Sequence, residues 1–214
     1  MEQAPEVRLA ADLIRAPSPS GAEGPATEVL VAAMREYGFD EVFIDPAGNA
    51  VGRFLRGEGP HVMLNGHVDT VPLGDESLWP HPPLGGVVEG GILWGRGASD
   101  MKSSIACMVL AARDAADAGF SGTLSVSGVV LEEIGGLGAR YLAESDPSVD
   151  VVILGEPSSL KLKLGHRGAA GIEITFPGAI AHAAKAELGE NALVHAARYV
   201  EALGKMPLPT GGML

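Results

Sequence analysis

The stretch His61-Val-Met-Leu-Asn-Gly-His-Val-Asp-Thr70 decides the reading of this chain. Val62, Met63 and Leu64 form an apolar run that predicts a strand, and the run ends in Gly66-His67-Val68-Asp69. In an extended segment, side chains two apart share a side, so His67 and Asp69 face the same way. An imidazole and a carboxylate at a strand tip belong to chemistry more often than to packing when other strands end likewise. TLSVSGVVL (123–131) is a strongly β-like run that ends in Glu132-Glu133, and VDVVILG (149–155) is a second buried strand that ends in Glu156. The segment at 86–94 predicts a hairpin around Gly90-Gly91, and it leads into Gly95-Arg96-Gly97-Ala98-Ser99-Asp100.

Helical periodicity lies between these strands. Residues 5–16 place Val7, Ala10, Leu13 and Ile14 on one face, and APSPSG breaks that helix. Further helices are predicted over 22–37, 101–118 and 135–145. In the third of these four helices Cys107 sits among apolar residues and reads as core. EVFID and NAVGRF add short strands on either side of the turn at Pro46-Ala47-Gly48-Asn49. Strands alternating with helices predict an α/β fold with a mixed, largely parallel sheet sandwiched by helices.

The texture changes after Pro157. LKLKLG and AGIEITF alternate apolar and polar residues, which predicts strands with one wet face. A helix over about 191–203 follows. We read residues 1–164 as the first part of a catalytic domain and 165–214 as the start of a smaller α+β domain. Nothing in PLPTGGML explains a domain finishing there.

The 214 residues are 46% hydrophobic and 20% charged, enough apolar content to bury a core. The net charge of −12 argues against a nucleic-acid partner. A single cysteine excludes a disulfide framework within the chain and a cysteine-rich zinc module, and it fits a reducing compartment. The sequence starts without a basic, apolar leader and has no run long enough to span a bilayer, so the expectation is a cytoplasmic protein with no membrane partner.

In open α/β sheets, ligands bind beyond the carboxyl ends of the strands. The strand tips would thus bring His67, Asp69, Asp100, Glu132, Glu133 and Glu156 to one rim. One imidazole with several carboxylates is a hard, oxygen-rich set suited to zinc, cobalt or manganese. Adjacent Glu132 and Glu133 diverge, so one can ligate while the other handles a proton. Each feature also has an ordinary reading: Asp100 as a helix N-cap, Glu132-Glu133 as solvated surface, Glu156 as a loop acid. Their joint occurrence at successive tips outweighs those readings. Gly95–Asp100 also resembles a dinucleotide-binding turn, but Asp100 stands where the third glycine belongs.

NGHVDTVP (65–72), LWGRGASDMKSS (93–104), LEEIGG (131–136) and GEPSS (155–159) together resemble the ordered motifs of the acetylornithine deacetylase, succinyl-diaminopimelate desuccinylase and carboxypeptidase G family of zinc hydrolases. The resemblance implies a zinc aminopeptidase-like catalytic domain with an inserted lid that carries a homodimer interface. It implies two divalent ions, with zinc first and cobalt or manganese as alternatives. His67 and Glu156 would bind one ion, Glu133 the other, and Asp100 would bridge them. Glu132 would be the general base, and Asp69 would orient His67. A cis peptide is expected after Asp100. His182 falls where the family has an oxyanion-stabilising lid histidine, and Arg167 where it has a basic residue for the substrate carboxylate.

The implied activity is cleavage of the amide of an N-acyl amino acid, in the lysine, ornithine or arginine pathways. A metallo-dipeptidase or carboxypeptidase and an inactive truncated remnant are the alternatives, and a small N-acyl amino acid or short peptide is the expected partner. Two departures stand out. Ser103-Ser104 replace two glycines of the family motif. The family also returns from its lid to supply a last metal-binding histidine, and this sequence stops before that return, as a fragment would.

Overall fold

The computed structural model describes residues 3–166, 168 and 171–207. They form two compact units, residues 1–159 and 160–214. The division falls five residues before the expected 164/165 boundary.

In the first unit α1 (Pro5–Arg15) and α2 (Gly24–Glu36) precede β1 (Glu41–Ile44), β2 (Ala50–Arg56) and β3 (His61–His67). The hairpin strands β4 (Val87–Glu89) and β5 (Ile92–Trp94) follow, then α3 (Ser103–Asp117), β6 (Gly122–Val129), α4 (Leu137–Ser145) and β7 (Val151–Leu154). The main sheet has the order β1-β2-β6-β3-β7, with β4-β5 forming a sheet of their own. β3 runs parallel to both β6 and β7, whereas β2 pairs antiparallel with β1 and β6. The sheet is mixed, with a parallel half on the side that carries the polar tips.

Period-two alternation sorts the two faces. Leu124 and Val126 of β6 join Leu30, Met34, Ile105 and Val109 in the main core, under α1, α2 and α3. Met63 and Val129 point the other way and pack with Leu142 of α4. That second face also buries polar groups in pairs, as buried donors require. Asn65 donates to Ser127 Oγ at 2.7 Å, and His61 lies 2.6 Å from Ser125 Oγ and 3.0 Å from Ser148 Oγ.

Three expectations need correction. β7 is not buried: it is an edge strand paired only with β3 among the described residues, and Val151–Leu154 are 49–62% exposed. Cys107 is exposed rather than core, because it lies on the outward face of α3 while Ile105, Ala106, Met108 and Val109 take the inward one. No strand forms in LKLKLG or in the described part of AGIEITF. Alternation alone does not make a strand; a partner's hydrogen bonds must complete it, and among the described residues only the Ala179–Glu190 bridge is formed there. The second unit otherwise holds a short 3-10 turn at Ala183–Leu188 and α5 (Ala192–Gly204). No helix among the described residues is long and apolar enough to cross a membrane.

Asn49 anchors the turn between β1 and β2. Its Nδ2 donates to Asp45 Oδ2 at 2.7 Å and to the Gly138 carbonyl at 2.9 Å, and its Oδ1 accepts from Val130 N at 3.0 Å. The side chain is fully buried. Asn49→Ala leaves those groups unpaired and is expected to cost about 1–3 kcal/mol in urea unfolding.

Burial also depresses the basicity of His61, helped by Arg53 and opposed by Asp146 and Asp150. Its folded pKa lies below the unfolded value near 6.5, so the unfolded chain binds the proton more readily. Stability from this residue is complete above that value and is lost as pH falls below it. Urea midpoints measured from pH 7 to 5 should therefore fall less steeply in His61→Gln than in the wild type.

Candidate metal centre

The site gathers at the carboxyl ends of β3, β6 and β7 and at the turn that leads from the β4-β5 hairpin into α3. The main sheet thus supplies three of the four expected tips, and Asp100 arrives from the separate hairpin. His67 ends β3 and is 2% exposed. Its Nδ1 lies 2.9 Å from the Asp69 carbonyl oxygen and 3.4 Å from Asp69 Oδ1. That partner holds the proton on Nδ1 and turns Nε2 toward the acids. Nε2 lies 3.0 Å from Asp100 Oδ1 and 3.9 Å from Glu156 Oε1. Ligand atoms of His67, Asp100 and Glu133 all lie within 4.8 Å of one another.

Asp69 is fully buried and receives three further hydrogen bonds. Ser20 Oγ donates to Oδ2 at 2.7 Å, Glu132 N to Oδ1 at 3.1 Å, and Glu133 N to Oδ2 at 3.1 Å. Burial alone would raise its pKa, but the bonds from His67, Ser20 and the two amides hold it below the ordinary carboxylate range.

Leu131 precedes the two glutamates with φ of 59°, a left-handed conformation uncommon for a bulky residue. Its N–H donates to Glu23 Oε1 at 3.1 Å, and the same oxygen accepts from Gly21 N at 2.8 Å. The bent backbone thus turns Glu132-Glu133 over the end of β3. The Asp100–Met101 peptide is cis, in line with the expectation from the motif.

The electrostatics describe a crowd of acids around one ring. Burial raises the Glu133 pKa, and Asp100, Glu132 and Asp69 raise it further against the pull of His67. Glu156 is raised by burial, then by Asp100, Glu132 and Glu133, again against His67. Burial opposes charging His67, yet its bonds to Asp69 and Asp100 and the field of the acids push its pKa up to about 9. A proton on Nε2 therefore occupies the place that a cation would take. One nitrogen with several hard oxygens fits a divalent ion, and His67, Asp100 and Glu133 are placed so that they could hold one, with Glu156 next to the same imidazole nitrogen. A cavity of about 180 Å³ opens beside Asp100 and Glu133, lined also by Thr70 and Arg96.

Of the remaining expected residues, His182 lies in the second unit. It is exposed, and its Nδ1 accepts from Ala184 N at 3.1 Å. Arg167 lies outside the described residues. Sequence reasoning missed Ser20, Glu23 and Lys102. Lys102 is 1% exposed, and burial lowers its pKa to about 8. Its inward position was legible, because it falls three and four residues before Ile105 and Ala106 on the inward face of α3, but its partners were not.

An α/β sandwich with an imidazole and carboxylates gathered beyond its parallel strand ends offers a group that could ligate a metal ion. A sequence profile of peptidase family M20/M25/M40 matches residues 63–213, and the chain belongs to that family. It is 33% identical to a succinyl-diaminopimelate desuccinylase of Bradyrhizobium sp. (strain ORS 278), over 94% of this chain and 57% of that protein. It is 34% identical to one of Rhodopseudomonas palustris (strain HaA2), over 96% and 59%. The chain therefore spans somewhat over half the length of these curated relatives. Among solved structures, the M20 family metallo-carboxypeptidase Sso-CP2 of Sulfolobus solfataricus superposes with a TM-score of 0.64 at 18% identity, over 72% of this chain and 37% of that one. Aminopeptidase PepT of Bacillus cereus ATCC 10987 gives 0.60 at 24% identity, over 97% and 58%. These two likenesses bear on the fold alone.

Asp69→Asn keeps the shape but replaces one acceptor oxygen with a donor facing other donors. We expect it to weaken binding of cobalt or zinc about 10–100-fold in titration calorimetry.

Proposed function

We propose that this chain carries the catalytic machinery of a metal-dependent hydrolase that cleaves the amide bond of N-acyl amino acids, of the desuccinylase or deacetylase type. The observation that carries the reading is the meeting of His67, Asp100 and Glu133 within 4.8 Å, with Glu156 Oε1 3.9 Å from the same His67 nitrogen that faces Asp100. The relatives named succinyl-diaminopimelate desuccinylase favour an N-succinyl or similar N-acyl amino acid over a peptide.

In this reading His67 and Glu156 would hold one divalent ion and Glu133 a second, with Asp100 shared between them. Zinc is the first candidate, with cobalt or manganese as alternatives. When bound, the ions supply Lewis-acid polarisation of the scissile carbonyl and an activated water. The chain's own groups do the rest. Glu132 takes the proton of the attacking water and returns it to the leaving amine. It is well supported for that part, since its backbone N–H is tied to Asp69 while its carboxylate stays close enough to raise Glu133 and Glu156. Asp69 holds the His67 ring in register.

His182 donates to the developing oxyanion. With Nδ1 accepting from Ala184 N, the neutral ring carries its proton on Nε2, the atom such a role needs. Arg167 pairs with the substrate carboxylate. The 160–214 unit carries the homodimer contact, a role supported by the exposed Leu193, Val200 and Leu203 of α5.

Glu132→Gln tests the assignment. In protein loaded with zinc or cobalt and given N-succinyl and N-acetyl amino acids, the variant should lose about 10²–10⁴-fold in kcat. Its metal content by elemental analysis should stay at the wild-type level. Loss of metal together with activity would make residue 132 a ligand instead of the base.

A further inference from the structure

The feature that neither the ligand set nor the general base explains is the buried ammonium of Lys102. It is 1% exposed, and among the described residues burial, with no charged partner, sets its basicity. Nζ donates instead to two carbonyls, Leu13 O at 2.8 Å and Ala16 O at 3.0 Å. Both belong to the C-terminal end of α1, where the last carbonyls lack helical partners. Leu13 O is a special case, because the residue four places on is Pro17, which has no N–H to give. The negative end of the helix dipole faces the cation and offsets part of the cost of its burial. A methionine would fill similar space without that cost, so packing alone does not account for a lysine.

The same residue closes the turn that carries Asp100. Lys102 N donates to Gly97 O at 2.9 Å, and Gly97 is left-handed with φ of 77°. Between these ends Asp100 (φ −123°, ψ 95°) and Met101 (φ −135°, ψ 32°) are not helical. The turn is thus held where its ends are held. The segment after α1 braces the other half of the centre: Ser18 Oγ donates to Val68 O at 2.7 Å, Thr70 N to Ser18 O at 2.9 Å, and Ser20 Oγ to Asp69 Oδ2 at 2.7 Å.

We infer that Lys102 is a positioning residue. By clamping the Gly97–Lys102 turn onto the C-terminal carbonyls of α1, it sets Asp100 against His67, so that residues 13–20 brace both sides of the centre. Its consequence for metal binding rests on the metal-centre reading above, whereas the clamp itself is a property of the metal-free chain.

The test compares Lys102→Met with Leu9→Ala, which loosens the packing of the same helix while leaving the Lys102 hydrogen bonds in place. In the metal-free chain, the imidazole nitrogen signals of His67 are read by NMR and assigned against His67→Gln. Lys102→Met should shift the Nε2 signal as Asp100 moves away, and Leu9→Ala should leave it in place. In cobalt titrations followed by visible absorption, Lys102→Met should bind about 10–100-fold more weakly. Leu9→Ala should lose less than about threefold at a comparable loss of Tm. Equal effects of the two variants on His67, or none from Lys102→Met, would overturn the clamp. If Lys102→Met does not fold, Lys102→Gln, whose amide can still reach one carbonyl, is read by the same criteria. A wild-type chain that takes up no cobalt while its His67 signal still responds to Lys102→Met would sink the metal-centre reading and leave the clamp standing.

Discussion

A single buried carboxylate, that of Asp69, sets the geometry on which the candidate centre depends. It lies where three chain segments meet. Ser20 reaches it from the loop after α1, the amides of Glu132 and Glu133 reach it from the end of β6, and His67 stands beside it on its own strand. A fully buried acid is expensive unless its lone pairs are filled, and these donors fill them. The same bonds fix the start of the Glu132-Glu133 bend and the angle of the imidazole. Ordering the acid and ordering the site are therefore one process.

The parallel pairing of β3 with β6 makes that arrangement possible. With His67 opposite Val129 in the register, the two strands end together and their following residues emerge side by side. A slip of one residue would turn His67 toward the other face and carry the glutamates past Asp69. The glycines in this register, Gly66 and Gly128, are close-packed: a Cβ at 66 would meet Met101, and one at 128 would meet Leu30 and Val68. The strand ends are locked by helices on the core side, so the loops beyond them can depart from regular geometry.

Much of this was legible in the sequence because it follows from local pattern. The run before His67 and the run before Glu132 read as strands, and their polar tips are visible as abrupt changes from apolar to acidic residues. What escaped reading depends on partners distant in the chain. Lys102 looks like an ordinary lysine at a helix start until Pro17 is seen to orphan the Leu13 carbonyl beside it. Ser20 is one of two serines in a breaker segment, and only the fold selects it for Asp69. β7 read as buried because VVIL is wholly apolar, yet composition does not say whether a strand is central or at an edge. In the second unit, the alternation of LKLKLG has no paired neighbour among the described residues, and a strand is a property of two segments.

The acids beyond the strand tips contribute little to the stability of the metal-free fold. Glu133 and Glu156 both resist ionisation because burial and their neighbours oppose a second and third negative charge, and the chain as a whole already carries a net −12. A divalent cation there would turn each of those repulsions into an attraction. Asp69 is the exception that makes the rest tolerable. Its charge is satisfied by hydrogen bonds from the protein itself, so it keeps the ring and the glutamate bend in place before any ion arrives. The carboxylates thus differ by neighbourhood: Asp69 is saturated with donors, whereas Glu133 and Glu156 sit among other acids.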